Sequence, residues 1–171
     1  MTTETVTTQV YRVWIKTSPE RIWAAITDPE WNARYGYAAP SFFELKPGGS
    51  YHATANPGMK DFATANGFEM PDTILDGEVV EAEPPRRLVQ TWRMLMDPTT
   101  AAEPFTTLIY EIEDATTQPG VCKLTVTHQL AGAPATAAMV AGTGDGGAGG
   151  GWAWILSDLK TVLETGKNFN E

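Results

Sequence analysis

The 171-residue chain is poor in cysteine, histidine and positive charge. Its one cysteine, Cys122, cannot close a disulfide within the chain and fits a reducing cytoplasm. The two histidines, His52 and His128, fall on different predicted strands and form no H-x-x-x-H pair, so no metal site is expected. Twelve Lys and Arg against 21 Asp and Glu leave a net charge of −9, which argues against nucleic acid or an anionic membrane surface as partner. No apolar run approaches the ~18 residues of a membrane-spanning helix, so no membrane insertion is expected. The opening MTTETVTTQV has neither the basic cluster nor the apolar run of a signal peptide. A literal G-x-G-x-x-G occurs at Gly142, Gly144 and Gly147, but a dinucleotide site needs a preceding strand and a βαβ unit. Here one helix and the chain end follow, so the match is read as chance and no cofactor is expected. The glycines are read instead as a hinge.

What is present organises itself around the last apolar pattern, Gly151 to Gly166. Trp152, Ile155, Leu156, Leu159, Val162 and Leu163 recur along one face of a helix, and Gly166 suits its left-handed end. A wide apolar stripe must be laid on something. The only candidate is a sheet built by the preceding residues. Val6 to Lys16 alternates, with Tyr11, Val13 and Ile15 on one face and Arg12, Trp14 and Lys16 on the other; Trp14 there is a candidate dimer contact. Ser18 and Pro19 then start a short helix that Asp28-Pro29 stops. Trip points of the same kind continue: Trp31 to Tyr37 reads as a second short helix or turn, and Ser41 to Leu45 with Ser50 to Ala55 as a hairpin. Four further strands, Ile74 to Glu83, Arg87 to Leu95, Phe105 to Glu113 and Val121 to Leu130, are separated by close turn signals and predict an antiparallel meander. Asn56 to Asp72 reads as a long loop whose Met59, Phe62, Phe68 and Met70 make it a candidate lid. The length suits one domain, residues 1–171 with a core over about 6–166.

The order of motifs resembles the activator-of-Hsp90-ATPase-like family within the START-like (Bet v 1-like) superfamily. The likeness runs through IKTSPERIWAAITDPE (Ile15 to Glu30), PGGSY (Pro47 to Tyr51) and GEVVEAEPPRRLVQTW (Gly77 to Trp92). It continues in CKLTVTH (Cys122 to His128) and in the final helix. The resemblance implies an α+β helix-grip fold: a curved antiparallel sheet around a long C-terminal helix, with two short helices after the first strand. This sequence departs from its relatives in the glycine-rich segment before Trp152, where they usually carry a short helix.

The resemblance further implies an apolar ligand held between sheet and helix. Strand faces compatible with that cavity would supply Phe43, Trp92, Tyr110, Leu124, Val126 and His128, and the helix Trp152, Ile155, Leu156 and Leu159. The leading expectation is a non-enzymatic module for a small hydrophobic molecule, lipid, aromatic or polyketide-like. A second is a chaperone-associated stress-response protein, as the family name implies, although the eukaryotic activators carry an additional N-terminal domain that this chain is too short to include. A third is a cyclase- or hydratase-like enzyme with His128 and Tyr110 as acid and base, aided by Arg12.

Overall fold

The computed structural model describes residues 7–143 and 149–171. Seven antiparallel strands form one sheet in the order β1-β7-β6-β5-β4-β3-β2. They are β1 (Thr8–Ile15), β2 (Ser41–Phe43), β3 (Ser50–Thr54), β4 (Thr73–Glu83), β5 (Arg87–Met94), β6 (Thr106–Asp114) and β7 (Cys122–Gln129). Alternation sets the faces: along β7, Cys122, Leu124, Val126 and His128 are all buried. Bulges after Ala53 and Val79 break the register of β3 and β4, and such irregularities bend a sheet. The final helix, α6 (Gly151–Thr165), lays Trp152, Leu156, Leu159, Val162 and Leu163 into the concave face. The fold is the helix-grip arrangement that the sequence predicts.

The edge strand β1 would offer unpaired backbone groups to another chain. Two side chains of α6 cover it. Lys160 donates to the Trp14 carbonyl at 2.7 Å, and Glu164 accepts from the Lys16 amide at 3.0 Å. Helix α1 (Pro19–Thr27) starts as predicted, with the Ser18 hydroxyl accepting from the Arg21 amide. Asp28 ends it and at once caps α2 (Pro29–Asn32) through the Glu30 amide.

Two readings need correction, and one alternative is resolved. Asn56 to Asp72 is not a plain loop: it contains α3 (Pro57–Ala65), capped by the Asn56 side chain accepting from the Met59 amide. A short helix α4 (Pro98–Ala102) follows Asp97, whose carboxylate accepts from the Thr99 amide where only a turn was expected. The second short helix stops at Asn32, and the chain runs through turns to β2. The stretch before α6 opens as α5 (Pro134–Ala141). Val6, Gly144 and Gly147 lie outside the described residues, so the hinge reading is described only at Gly142 and at Gly149, Gly150 and Gly151.

Candidate functional site

Between the open end of the sheet and the start of α6 lies a cavity of about 570 Å³. Its floor is sheet, with Tyr51 on β3, Trp92 on β5 and Tyr110 on β6; its sides are Trp152 and Ile155 of α6 and the turns after α2. Helix α3 forms the outer wall, so the stretch read as a lid lies over a cavity, with Met59, Phe62, Phe68 and Met70 all facing it. Phe62 and Phe68 meet edge to face at 6.1 Å and remain exposed, which marks the mouth. The Lys60–Asp72 ion pair ties this helix to the approach of β4.

Of the ten residues expected between sheet and helix, Phe43, Trp92, Tyr110, Trp152 and Ile155 line the cavity. Leu124, Val126, His128, Leu156 and Leu159 do not: the four aliphatic residues are buried in solid packing farther along the helix, and His128 is buried behind the cavity wall. The sheet closes on α6 there, and apolar side chains fill the space. Arg12 is exposed on the outer face of β1, away from the cavity.

His128 stands directly behind the wall. Its ring meets Trp92 edge to face at 5.1 Å, and the Trp152 indole N–H donates to its Nδ1 at 3.2 Å. An indole nitrogen can only donate, so Nδ1 is the acceptor and Nε2 carries the proton. Nε2 lies 2.7 Å from the Thr106 hydroxyl, which passes its own proton to the Trp92 carbonyl at 2.9 Å. Both ring nitrogens are therefore committed, and burial pushes the imidazole down to about 4. No hydrogen bond joins His128 to Tyr110 among the described residues. The histidine fixes the angle of a cavity-wall tryptophan; it has no free nitrogen with which to act as acid or base.

The tyrosines are the polar part of the wall. Tyr110 keeps some accessible surface because it borders the cavity, yet protein encloses it, and burial raises its hydroxyl well above the ordinary range. Burial also raises Tyr51, to about 12, against the nearby side chains of Ser41, Trp92 and Gln90, which favour the ionised form. Tyr35 is raised by burial and then by the proximity of Tyr51 and Asp158, and its hydroxyl donates to the Ala25 carbonyl at 2.8 Å. Tyr37 does another job. Helix α6 has no side-chain cap of its own, and the Tyr37 hydroxyl accepts from the Gly151 amide at 2.9 Å.

Sequence reasoning missed Asp158. Its place between apolar positions of α6 reads as solvated, yet it is 2% exposed. Its two oxygens accept from the Gly36 amide at 2.9 Å and the Phe169 amide at 2.8 Å. One carboxylate thus pins both the cavity-wall turn and the C-terminal tail to α6. Charged acceptors make hydrogen bonds worth roughly 1.5–3 kcal/mol each. Asp158→Ala is expected to cost about 3 kcal/mol, read as a lower urea midpoint, with Phe169 freed in the NMR spectrum.

A family model described as "Activator of Hsp90 ATPase homolog 1-like protein" matches residues 16–164. No curated protein matches the chain. Among solved structures, protein MLL2253 from Mesorhizobium loti is 20% identical, with 91% of this chain and 96% of that one covered and a TM-score of 0.63. An Hsp90 activator from Plasmodium falciparum is 16% identical over 92% of this chain and 96% of its own, with a TM-score of 0.60. DynU16, a protein in the dynemicin biosynthetic locus, is 21% identical over 95% of this chain but 49% of its own, with a TM-score of 0.62. The chain likewise spans 59% of the crystallised CalU16 of Micromonospora echinospora. At these identities the likeness is one of fold.

Proposed function

The chain belongs to the activator of Hsp90 ATPase homologue 1-like family, and from that premise we propose that it binds a small hydrophobic molecule, without transforming it, in the cavity between sheet and α6. The observation that carries this reading is the cavity itself. Its volume suits a small organic ligand, its wall is chiefly apolar, and its outer side is one short helix with exposed aromatic residues at the mouth. A solid core would leave no such space. The committed nitrogens of His128 support binding over acid–base chemistry. Cys122, free and buried, suits a cytoplasmic setting.

Amide-resolved NMR titration with fatty acids, sterols, flavonoids and aromatic polyketides tests the proposal. Saturable shifts at Met59, Met70, Tyr110 and Trp152 are expected for at least one class, with Leu124 and Leu159 unmoved in the solid core. Unmoved cavity amides throughout, in a folded protein, would sink the reading. Family membership favours a second one, association with an Hsp90-type chaperone. Its test is whether the purified protein stimulates a chaperone's ATP hydrolysis.

A further inference from the structure

The chemistry of the cavity wall narrows what can occupy it. No Lys, Arg, His, Asp or Glu lines the cavity among the described residues. Its polar side chains are tyrosine, serine and asparagine, with the Trp92 indole; the Trp152 N–H is turned away to His128. The two asparagines are already spent. Asn32 donates to the Ile26 and Ser41 carbonyls, and Asn56 to those of Tyr37 and Ala38. The Tyr110 hydroxyl makes no hydrogen bond among the described residues, the Tyr51 hydroxyl faces the side chains of Ser41, Trp92 and Gln90, and the Gln90 Oε1 is buried without a partner.

The unpaired formal charge that stands behind the wall is negative. Asp158 stands behind Tyr35 and Gly36, with no cation paired to it among the described residues. Asp76 bears on Tyr51 from the other side, paired with Arg93 at 2.7 Å. An anionic group brought inside would lose its hydration, find no cation and face a carboxylate. The apolar wall points the same way as to shape. Met59, Met70, Met94, Met96 and Met139 all line it, which is five of the chain's six methionines. Unbranched thioethers adapt to an irregular ligand and make favourable contacts at ring edges.

We infer that the cavity selects uncharged aromatic ligands bearing a neutral oxygen, ketone or hydroxyl, seated against Tyr51 and Tyr110, and that it discriminates against carboxylates such as free fatty acids. This rests on the ligand-binding reading and adds the class of ligand to it.

Three probes of one ring system test it by calorimetry and NMR at pH 7: 2-acetylnaphthalene, 2-ethylnaphthalene and 2-naphthoate. The ketone is expected to bind at least ten-fold tighter than either of the others. Tyr51→Phe and Tyr110→Phe should erase most of the ketone's advantage over 2-ethylnaphthalene. Equal binding of ketone and hydrocarbon overturns the oxygen seat, and naphthoate binding as tight as the ketone overturns the exclusion of anions. Either result leaves the ligand-binding reading intact. If none of the three moves a cavity amide, this inference fails, and that reading fails with it only if the broader compound set is also silent.

Discussion

Lowering the pH from 7 to 4 is expected to remove about 3 kcal/mol of stability through His128 alone. The unfolded chain's imidazole takes up a proton near pH 6.5. The folded one, buried and with Nδ1 accepting from Trp152, does so only near 4. Between these values the unfolded state binds more protons than the native state, so stability falls as pH falls through that window. Below about 4 both states are protonated and this contribution changes no further. Carboxylates held below their ordinary range act lower. In Glu103, burial pushes upward, but the Thr136 hydroxyl and the Ala135 and Thr136 amides outweigh it. Its contribution is present above the ordinary carboxylate value and is lost as pH falls through the depressed one. Urea unfolding from pH 7 down to about 3 separates the two slopes. His128→Gln should lose roughly 2 kcal/mol at pH 7, because Trp152 and Thr106 lose their partner, and should flatten the curve between 6.5 and 4. A slope unchanged by that substitution would refute the assignment.

Gly151→Ala is expected to cost about 3 kcal/mol or more and to abolish the ligand binding proposed above. Gly151 has a φ of +60°, and a Cβ there would stand 2.3 Å from the Val140 carbonyl oxygen and 2.7 Å from the Gly142 nitrogen. Backbone therefore meets backbone where α5 ends and α6 begins, and neither side has a flexible atom to move. Met139, Val140, Gly151 and Trp152 all line the cavity, so a forced separation reshapes its wall. Gly166→Ala is the control. Gly166 also has a positive φ, +81°, but nothing lies within 4 Å of its added Cβ. Only the backbone cost of about 1 kcal/mol is expected there. With a change in melting temperature of roughly 2–4 °C per kcal/mol in a domain of this size, calorimetry resolves the two variants readily.

The acidic, cysteine-poor composition and the two periodicities carried most of the architecture. Strand alternation from Tyr11 to Ile15 and the apolar stripe from Trp152 to Leu163 are local patterns, each set by which side chains a strand or helix must bury. Ser18-Pro19, Asp28-Pro29 and Gly166 punctuate the helices by backbone preference alone, and they could be read directly. Asn56-Pro57 is an equally good start signal, and Asn66-Gly67 an equally good stop. Gly58, Gly67 and Pro71 mask them, because glycine and proline are also the residues of loops.

The site was less legible, because it depends on where packing stops. Leu124, Val126, Leu156 and Leu159 have the same periodicity as residues that border the cavity, and no local pattern distinguishes a face that meets another from one that meets space. Only the curvature of the sheet and the stand-off of α3 decide it. The same holds for Asp158, whose carboxylate is stable in the interior only because the Gly36 and Phe169 amides, distant in the chain, converge on it. It holds for His128 too, whose neutrality follows from its burial and whose tautomer follows from a tryptophan 24 residues away. Most elements and their faces are legible in the chain, since they follow from local backbone preference and the period of burial; α3 and α4 are not, and the helix-grip arrangement is legible through the family resemblance. The empty space and the partners of each buried polar group come only with the assembled fold, since both arise from contacts between segments whose separation no local pattern encodes.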